Sequence, residues 1–252
     1  MKHVSEFIKE QKGLENYACF KWDQKAVKAF WDFEAAFDSR YFTHLLGPNI
    51  VALFEAELEG KTRILDYGAG KGFLTARLLE RGLKVSCFDL SEETTKALNA
   101  KFRDNPNYLG SFTAAELENN KSSFDAILLI EVIEHLEEDA RKVVLGQIHD
   151  LLKPGGIVII STPNNENFNQ NLICNPVTKE VYHRWQHVYS WTGKSLSAEI
   201  ERYGFRTREV IETNLKYEGR GVLRNIKRLL KKAKSRLRNR PQDNLFVVSA
   251  KT

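Results

Sequence analysis

A glycine-rich segment between two short apolar strands limits what this chain can fold into more than any other feature. The predicted strand Arg63–Leu65 leads into the turn Asp66–Gly72, and a predicted helix over Phe73–Leu79 follows. A second strand, Lys84–Phe88, ends in Asp89, 17 residues after the last glycine of the turn. Glycines let the backbone approach a ligand at the helix N-terminus, and an acid that ends the next strand suits a ribose diol. The order of these elements predicts a nucleotide-type site on an α/β sheet.

The spacing of the glycines narrows the choice of ligand. Dinucleotide sites usually read G-x-G-x-x-G around a pyrophosphate. This chain reads D-x-G-x-G-x-G instead, with Asp66 at the end of the strand. A carboxylate at that position would repel a pyrophosphate, but it accepts hydrogen bonds, directly or through water, from a ligand that carries an ammonium group. A Rossmann-type oxidoreductase is the alternative interpretation of the pattern.

The segment that reads ILDYGAGKG, residues 64–72, resembles the first motif of the class I S-adenosylmethionine-dependent methyltransferases. The resemblance implies that S-adenosylmethionine is the cofactor and that Asp89 holds its ribose. It also implies that the methionine part is held by four residues of the turn, namely Asp66, Gly68, Gly70 and Gly72. The fold implied is Rossmann-like and ends in an antiparallel hairpin.

Alternation of strand and helix patterns continues along the chain and predicts a doubly wound, seven-stranded, mostly parallel α/β sheet. The fourth strand, Phe124–Ile130, is almost entirely apolar, as expected when helices cover both faces of a sheet. An amphipathic helix is predicted over Thr192–Tyr203. The other predicted strands are Asn107–Phe112, Gly156–Ser161, Phe205–Glu212 and Leu245–Ala250.

Length and composition agree with one α/β domain, predicted over residues 61–252, preceded by an N-terminal segment. With 42% hydrophobic residues the chain is globular. The N-terminus lacks the apolar stretch of a signal peptide, and no apolar run approaches the roughly 20 residues that span a bilayer. Three scattered cysteines show neither metal-ligand spacing nor a disulfide framework. We therefore expect a cytoplasmic protein.

Residues 1–60 are predicted to be helical and are rich in aromatic side chains. Helices placed before the first strand of such a domain often form a lid over cofactor and substrate, and we predict a helical lid here. Aromatic residues at helical spacing more often belong to a core than to a ligand contact, so no contact residue is assigned in this segment.

The segment Glu131-Val132-Ile133-Glu134-His135 follows the fourth strand, at the edge of the sheet where ligands bind in open α/β folds. If a helical turn follows the strand, Glu131, Glu134 and His135 share one face. Two carboxylates and an imidazole make a plausible site for a divalent metal. A fourth ligand is predicted from the connection after the fifth strand, which carries His183 and His187. We interpret His183 as a polar loop residue. An acid/base role for the cluster, with no metal, is the alternative.

This arrangement resembles two methyltransferase groups that share E-x-x-E-H, a fifth-strand S-T-P-N and a later histidine. In the small-RNA 3′-terminal 2′-O-methyltransferases, two glutamates and two histidines bind a divalent ion. Glu131, Glu134, His135 and His187 match those positions, which implies Mg²⁺ or Mn²⁺ rather than Zn²⁺. The second group contains bacterial ubiquinone-pathway O-methyltransferases and methyltransferases of surface-glycan or lipid gene clusters. The resemblance covers roughly residues 60–215.

The excess of positive charge comes from one segment. Residues 219–240 hold ten Lys or Arg and no acid, whereas the rest of the chain carries a net charge of −5. Apolar residues in this segment recur at helical spacing, which predicts a basic amphipathic helix inserted before the last strand. Such a helix can bind an anionic membrane surface, bind RNA phosphates, or pack on its own domain.

Together these patterns predict a methyltransferase that methylates a hydroxyl group. Glu131 borders the reaction centre, where we also expect it to contact the cofactor, and it belongs with His135 and His187 to the candidate catalytic residues. The preferred acceptor is a glycan, lipid-linked or quinone-like small molecule at the inner membrane face. The alternatives are a metal-dependent RNA 2′-O-methyltransferase, which the net negative charge outside residues 219–240 disfavours, and a membrane-recruited scaffold without catalysis.

Overall fold

The computed structural model describes residues 1–215 and 242–252. Twelve strands are described in these ranges: β1 (Lys2–His3), β2 (Ala18–Cys19), β3 (Ile64–Tyr67), β4 (Val85–Phe88), β5 (Tyr108–Phe112), β6 (Phe124–Ile130), β7 (Leu152–Pro163), β8 (Leu172–Cys174), β9 (Glu180–His183), β10 (Tyr189–Ser190), β11 (Phe205–Thr213) and β12 (Asn244–Lys251). The α-helices in the same ranges are α1 (Val4–Lys9), α2 (Gln24–Glu34), α3 (Phe42–Leu53), α4 (Glu55–Leu58), α5 (Phe73–Leu79), α6 (Glu92–Phe102), α7 (Ala114–Glu118), α8 (Glu138–Leu151) and α9 (Gly193–Glu201).

Seven of these strands form one sheet, in the order β11-β12-β7-β6-β3-β4-β5. Five strands, β7, β6, β3, β4 and β5, are parallel to one another, whereas β12 is antiparallel to both β7 and β11. The predicted doubly wound sheet with a final antiparallel hairpin is therefore confirmed. Strand β3 lies between β4 and β6, so the glycine turn and the E-x-x-E-H segment leave neighbouring strands at the same edge.

Alternation along the central strands explains why both faces of the sheet are covered. On β6, Ile127 and Leu129 face a core formed with α8 and α9, and Ala126 and Leu128 face a second core formed with α3 and α5. All four side chains are fully buried. A strand buried on both faces needs apolar residues at successive positions, and this is the pattern that identified β6 in the sequence.

The N-terminal 60 residues depart from the all-helical prediction. Strand β1 pairs antiparallel with β10, and β2 pairs parallel with β9. Two-residue strands are too short to show a periodic pattern in the sequence. They form because distant strands pair with them. The N-terminal segment is thereby tied to the connection that follows β7.

That connection, predicted as a long loop, contains three short strands. Strands β8 and β9 form an antiparallel pair, and β2 completes a three-stranded sheet beside them. The carboxyl end of β9 is His183, and His187 lies four residues further, just before β10. The predicted basic helix, residues 219–240, lies outside the described residues. Among the residues that are described, no helix is both long enough and apolar enough to cross a membrane.

Candidate active site

The glycine turn has a backbone that side chains would obstruct at two positions. Gly68 and Gly72 have φ angles of +79° and +71°. A Cβ at Gly72 would lie 2.6 Å from Leu98 Cδ2, and a Cβ at Gly68 would lie 2.8 Å from Val132 Cγ2. The left-handed backbone and these close approaches together favour glycine at both positions. The second one also places the turn directly against the E-x-x-E-H segment.

Hydrogen bonds fix the turn to the end of β4. The backbone N–H groups of Gly68 and Ala69 both donate to Phe88 O, at 2.8 and 3.0 Å. Gly70 N donates to Asp89 Oδ2 at 2.9 Å, and Ser91 N donates to Asp89 Oδ1 at 3.1 Å. Burial raises the pKa of Asp89, and these two hydrogen bonds oppose that rise. Asp89 thus lies beside the glycines, as its predicted contact with the ribose requires.

Asp66 lies behind the turn and is 3% exposed. Its Oδ2 accepts a hydrogen bond of 2.6 Å from Thr75 Oγ1 on α5. Burial raises the pKa of Asp66 to about 6, although the Thr75 hydrogen bond acts in the opposite direction. In the structure Asp66 joins the end of β3 to helix α5, and its contact with the methionine part of the cofactor stays a prediction.

Residues of the N-terminal segment cover the outer side of the turn. Lys71 forms a 2.5 Å ion pair with Asp38, and the ring of Tyr41 packs against Phe73 with centroids 5.6 Å apart. A Cβ at Gly70 would lie 3.3 Å from Tyr41 Cε1. These contacts support the predicted lid, whose boundaries stay a prediction.

Glu131 is the first residue after β6 and has a φ angle of +54°, which is rare for a residue with a side chain. Its backbone N–H and its carboxylate are both bound to one serine: Glu131 N donates to Ser161 Oγ at 3.1 Å, and Ser161 Oγ donates to Glu131 Oε1 at 2.7 Å. Burial raises the pKa of Glu131 to about 7. Strained backbone of this kind costs on the order of 1–3 kcal/mol and is concentrated at functional sites.

Glu134 lies in a 3-10 turn, Ile133–His135, and is fully buried. Neither of its carboxylate oxygens has a hydrogen-bond partner among the described residues. Burial, and then the charge of Glu131, raise the pKa of Glu134 well above its ordinary value. Its backbone carbonyl accepts from Val188 N at 2.8 Å, which brings the segment of His187 to this turn. A buried carboxylate without partners is costly unless a cation or a proton neutralises it.

Two imidazole rings lie beside this carboxylate. His135 Nε2 is 4.0 Å from Glu134 Oε1, and the ring centroids of His135 and His187 are 4.9 Å apart. His135 Nδ1 lies 3.3 Å from the carbonyl oxygen of Gln186, to which it donates. Burial, and then the nearby His187, lower the pKa of His135 to about 3, and burial also lowers the pKa of His187. Both rings are therefore neutral near pH 7.

Two further residues of this cluster were not predicted. Glu166 Oε2 is 2.6 Å from His187 Nδ1, and Glu166 Oε1 is 3.1 Å from His183 Nε2. The rings of His183 and His187 are stacked, with centroids 4.4 Å apart. The interpretation of His183 as a polar loop residue was wrong, because it ends β9 and is 1% exposed. The spacing of the two histidines was the available signal for His183, whereas Glu166 follows S-T-P-N in a loop without a pattern.

The described residues contain two sets whose ligand atoms lie within 4.8 Å of one another: Glu134 with His135 and His187, and Glu166 with His183 and His187. Three of the four predicted metal ligands thus come together. Glu131, the fourth, belongs to neither set, and its Oε1 accepts a hydrogen bond from Ser161. Its predicted roles at the cofactor and at a metal stay predictions.

Comparison with known proteins identifies the class. The methyltransferase domain family matches residues 37–210, so the chain belongs to this family. Its fold is that of the class I S-adenosylmethionine-dependent methyltransferases. The prediction of a methyltransferase that uses S-adenosylmethionine is therefore confirmed for the family, and the oxidoreductase alternative is excluded.

Individual relatives are more distant. A ubiquinone biosynthesis O-methyltransferase of Rickettsia canadensis is 36% identical over 107 residues, which cover 41% of this chain and 44% of the relative. One of the same name from Idiomarina loihiensis is 28% identical over 162 residues, covering 62% and 63%. The chain thus spans about half the length of the curated relatives it matches. Among solved structures, the 1,6-didemethyltoxoflavin-N1-methyltransferase of Burkholderia thailandensis superposes with a TM-score of 0.64 at 19% identity, covering 94% of each chain. This likeness shows the fold.

Proposed function

We propose that the chain is an S-adenosylmethionine-dependent O-methyltransferase that binds the hydroxyl group of a small molecule at a divalent cation. We call Glu134, His135 and His187 the acceptor cluster, and the turn Asp66–Gly72 with Asp89 the donor side. The observation that carries the proposal is the buried carboxylate of Glu134, whose two oxygens have no hydrogen-bond partner among the described residues.

The relative position of the two parts supports methyl transfer between them. The donor side follows β3 and β4, and the acceptor cluster begins after β6, the neighbour of β3. A Cβ added to Gly68 would lie 2.8 Å from Val132 Cγ2, and Val132 lies between Glu131 and Glu134 in the sequence. A methyl group held over the turn is therefore close to the E-x-x-E-H segment. Transfer to oxygen is a displacement that depends mainly on holding donor and acceptor in line.

The acceptor cluster has the chemistry that a divalent cation needs. His135 donates from Nδ1 to the Gln186 carbonyl, and His187 Nδ1 lies against the carboxylate of Glu166. Metal-binding histidines commonly donate their other ring nitrogen to such acceptors, which leaves Nε2 as the ligand. Carboxylate oxygens favour Mg²⁺ or Mn²⁺, and imidazole nitrogens also suit Zn²⁺. A mixed set of one carboxylate and two imidazoles favours Mn²⁺ over Mg²⁺.

When bound, such a cation would hold the acceptor hydroxyl and lower its pKa, which makes the oxygen a better nucleophile. The chain's own residues do the rest. Glu134, His135 and His187 hold the site in a buried position that excludes bulk water. Glu131, bound to Ser161 between the donor side and the cluster, shapes the boundary between the two parts.

The walls near the cluster favour a planar acceptor, the quinone-like choice among the three acceptor classes. Trp31 of α2 packs edge-on against His135 at 4.9 Å, and its Nε1 donates to Gln186 Oε1 at 3.2 Å. Trp31 is the first of a row of partly exposed aromatic rings, each in contact with the next. The other rings in the row belong to Phe30, Trp22, Phe20 and Tyr182. The names of the curated relatives point to the same class of acceptor.

The test is methyl transfer from labelled S-adenosylmethionine to a set of acceptors: hydroxylated aromatic rings, sugars and a short RNA. The full chain is assayed after treatment with EDTA and after addition of Mn²⁺, Mg²⁺ or Zn²⁺. We expect transfer to a ring hydroxyl that EDTA abolishes and Mn²⁺ restores. Transfer that is insensitive to EDTA would overturn the role of the cation. Transfer to RNA alone would replace the proposed acceptor, and no transfer to any acceptor would favour the scaffold interpretation.

A location at the inner membrane face is part of the proposal and depends on residues 219–240, which lie outside the described residues. The support is the composition of this segment, with ten cations and a helical apolar pattern. Flotation with anionic liposomes compares the full chain with a variant that lacks 219–240. Equal binding of the two would overturn this part of the proposal, and the methyl-transfer assay is independent of it.

A further inference from the structure

Glu166 lies between His183 and His187, and it contacts His187 at Nδ1. Its Oε2 is 2.6 Å from His187 Nδ1 and its Oε1 is 3.1 Å from His183 Nε2, and only 11% of its side chain is exposed. The carboxylate therefore joins two rings that come from the connection after β7. Neither the sequence patterns nor the proposed ligand set includes it.

The backbone determines which nitrogen of His183 carries the proton. His183 Nδ1 accepts from the backbone N–H groups of Trp185 and His187, both at 3.3 Å. A neutral imidazole has one N–H, so the proton of His183 is on Nε2. That atom is buried and faces Glu166 at 3.1 Å, without the alignment of a full hydrogen bond and without another partner among the described residues.

The same carboxylate determines the state of His187. An ionised carboxylate only accepts hydrogen bonds, so the proton of a neutral His187 is on Nδ1 at the 2.6 Å contact. The other nitrogen, Nε2, is then without a proton. We propose that Glu166 and His183 are positioning residues that hold His187 in this tautomer, which makes Nε2 available to a cation or to the proton of an acceptor hydroxyl. The use of Nε2 rests on the proposed function, whereas the tautomer does not.

His183 has a separate part in this arrangement. In a Glu166→Gln variant, the side chain has one oxygen and one NH₂ group to face the two rings. Because Nε2–H of His183 needs an acceptor, the Gln oxygen turns toward His183 and the NH₂ group toward His187. His187 then accepts at Nδ1 and carries its proton on Nε2. The variant therefore reverses the tautomer of His187 with almost no change in volume.

The experiment measures histidine tautomers by ¹⁵N–¹H correlation spectra of the metal-free full chain, with His187 identified by the signal lost in His187→Asn. We expect the Nδ1–H tautomer in the wild type and the Nε2–H tautomer in Glu166→Gln. We also expect Glu166→Gln to weaken Mn²⁺ binding by about 10–100-fold, the usual effect of removing a partner of a metal-binding histidine. In the double variant Glu166→Gln/His183→Asn, the Gln oxygen is free to face His187, and the Nδ1–H tautomer returns.

The matched control is Glu137→Gln, which removes the carboxylate of another Glu–His pair, 3.3 Å from His3 Nε2 at the surface. This variant should leave the tautomer of His187 and the affinity for Mn²⁺ unchanged. A wild-type His187 with its proton on Nε2 would overturn the proposal without any variant, as would an unchanged tautomer in Glu166→Gln. Because these spectra need neither an acceptor nor turnover, their outcome is independent of whether the methyl-transfer assay succeeds.

Discussion

The donor side and the acceptor cluster lie at the same edge of the sheet but are built differently. On the donor side, the carboxylates already have partners within the chain: Asp66 accepts from Thr75, and Asp89 accepts from Gly70 and Ser91. In the acceptor cluster, Glu134 is more deeply buried, and its oxygens have no partner among the described residues. The donor-side carboxylates thus have partners within the chain, whereas the carboxyl group of Glu134 needs a proton or a cation to neutralise it.

The largest effect is expected from Glu134→Gln. This change removes the negative charge and keeps the shape, so methyl transfer should fall by at least about 100-fold, more than the loss of an outer partner causes. Affinity for S-adenosylhomocysteine, measured by calorimetry, should stay within twofold, because the donor side is intact. The metal-free variant should be at least as stable as the wild type, since a buried carboxylate disfavours folding. A large loss of S-adenosylhomocysteine affinity would show that the two parts are not separable.

The converse variant is Gly72→Ala on the donor side. Its Cβ would meet Leu98 at 2.6 Å in a backbone with a φ angle of +71°, so we expect a loss of about 1–3 kcal/mol in stability together with weaker binding of S-adenosylhomocysteine. Gly82→Ala is the control, because Gly82 has a φ angle of +73° with nothing within 4 Å of the added Cβ. The Gly82→Ala control should lose stability but keep its affinity for S-adenosylhomocysteine. Thermal melts measure stability, and calorimetry measures affinity for S-adenosylhomocysteine. Equal effects of the two variants on both quantities would show that Gly72 serves the backbone in general and has no special part in cofactor binding.

Asp66 on the donor side and Asp125 at the start of β6, outside both parts, should give opposite pH dependences of stability. Burial raises the pKa of Asp66 from 3.8 to about 6, so the stabilisation by its protonated form is complete below pH 3.8 and is lost as the pH rises through 6. Burial acts on Asp125 in the same direction, but the ion pair with Lys153 and the hydrogen bonds from Thr62 outweigh it and lower the pKa from 3.8 to about 2. The stabilisation by Asp125 is therefore present above pH 3.8 and is lost as the pH falls through 2.

Urea unfolding between pH 2 and 7 checks this contrast. Relative to Asp66→Asn, the wild type should lose on the order of 2 kcal/mol between pH 4 and 7. Relative to Asp125→Asn, it should lose stability as the pH falls below 4. Slopes of the same sign in the two comparisons would contradict the assignment of Asp66 as a buried carboxyl.

The smallest effect is expected at the aromatic wall. Trp31→Ala removes the ring that packs on His135, so the KM for the acceptor should rise up to about tenfold, equivalent to about 1.4 kcal/mol, with S-adenosylhomocysteine affinity unchanged. Phe33→Ala is the control, since Phe33 lies on the same helix and is 59% exposed. Steady-state kinetics measure the KM in both variants. Equal changes in KM for the acceptor would show that the aromatic rings around Trp31 do not bind the acceptor.

The contrast between the two parts also explains what could be predicted from sequence. The turn is contiguous, and its glycines and strand ends obey local rules, so the positions of Asp66 and Asp89 and the seven-stranded sheet could be predicted. Glu166 and His183 join the acceptor cluster through the end of β7 and the pairing of β2 with β9, which are distant in sequence and carry no periodic pattern. The sequence pattern around Glu131 did not reveal its φ angle of +54° or its hydrogen bond from Ser161, and its role as a ligand stays a prediction.

We propose that the acceptor cluster holds a cation while the donor side holds the cofactor. Anomalous diffraction at the manganese edge, from crystals grown with S-adenosylhomocysteine and Mn²⁺, examines both sites in one crystal. We predict one anomalous peak within coordination distance of Glu134, His135 and His187, and cofactor density over the glycine turn beside Asp89. A complex with cofactor density and no manganese at these three residues would rule out the proposed cation site.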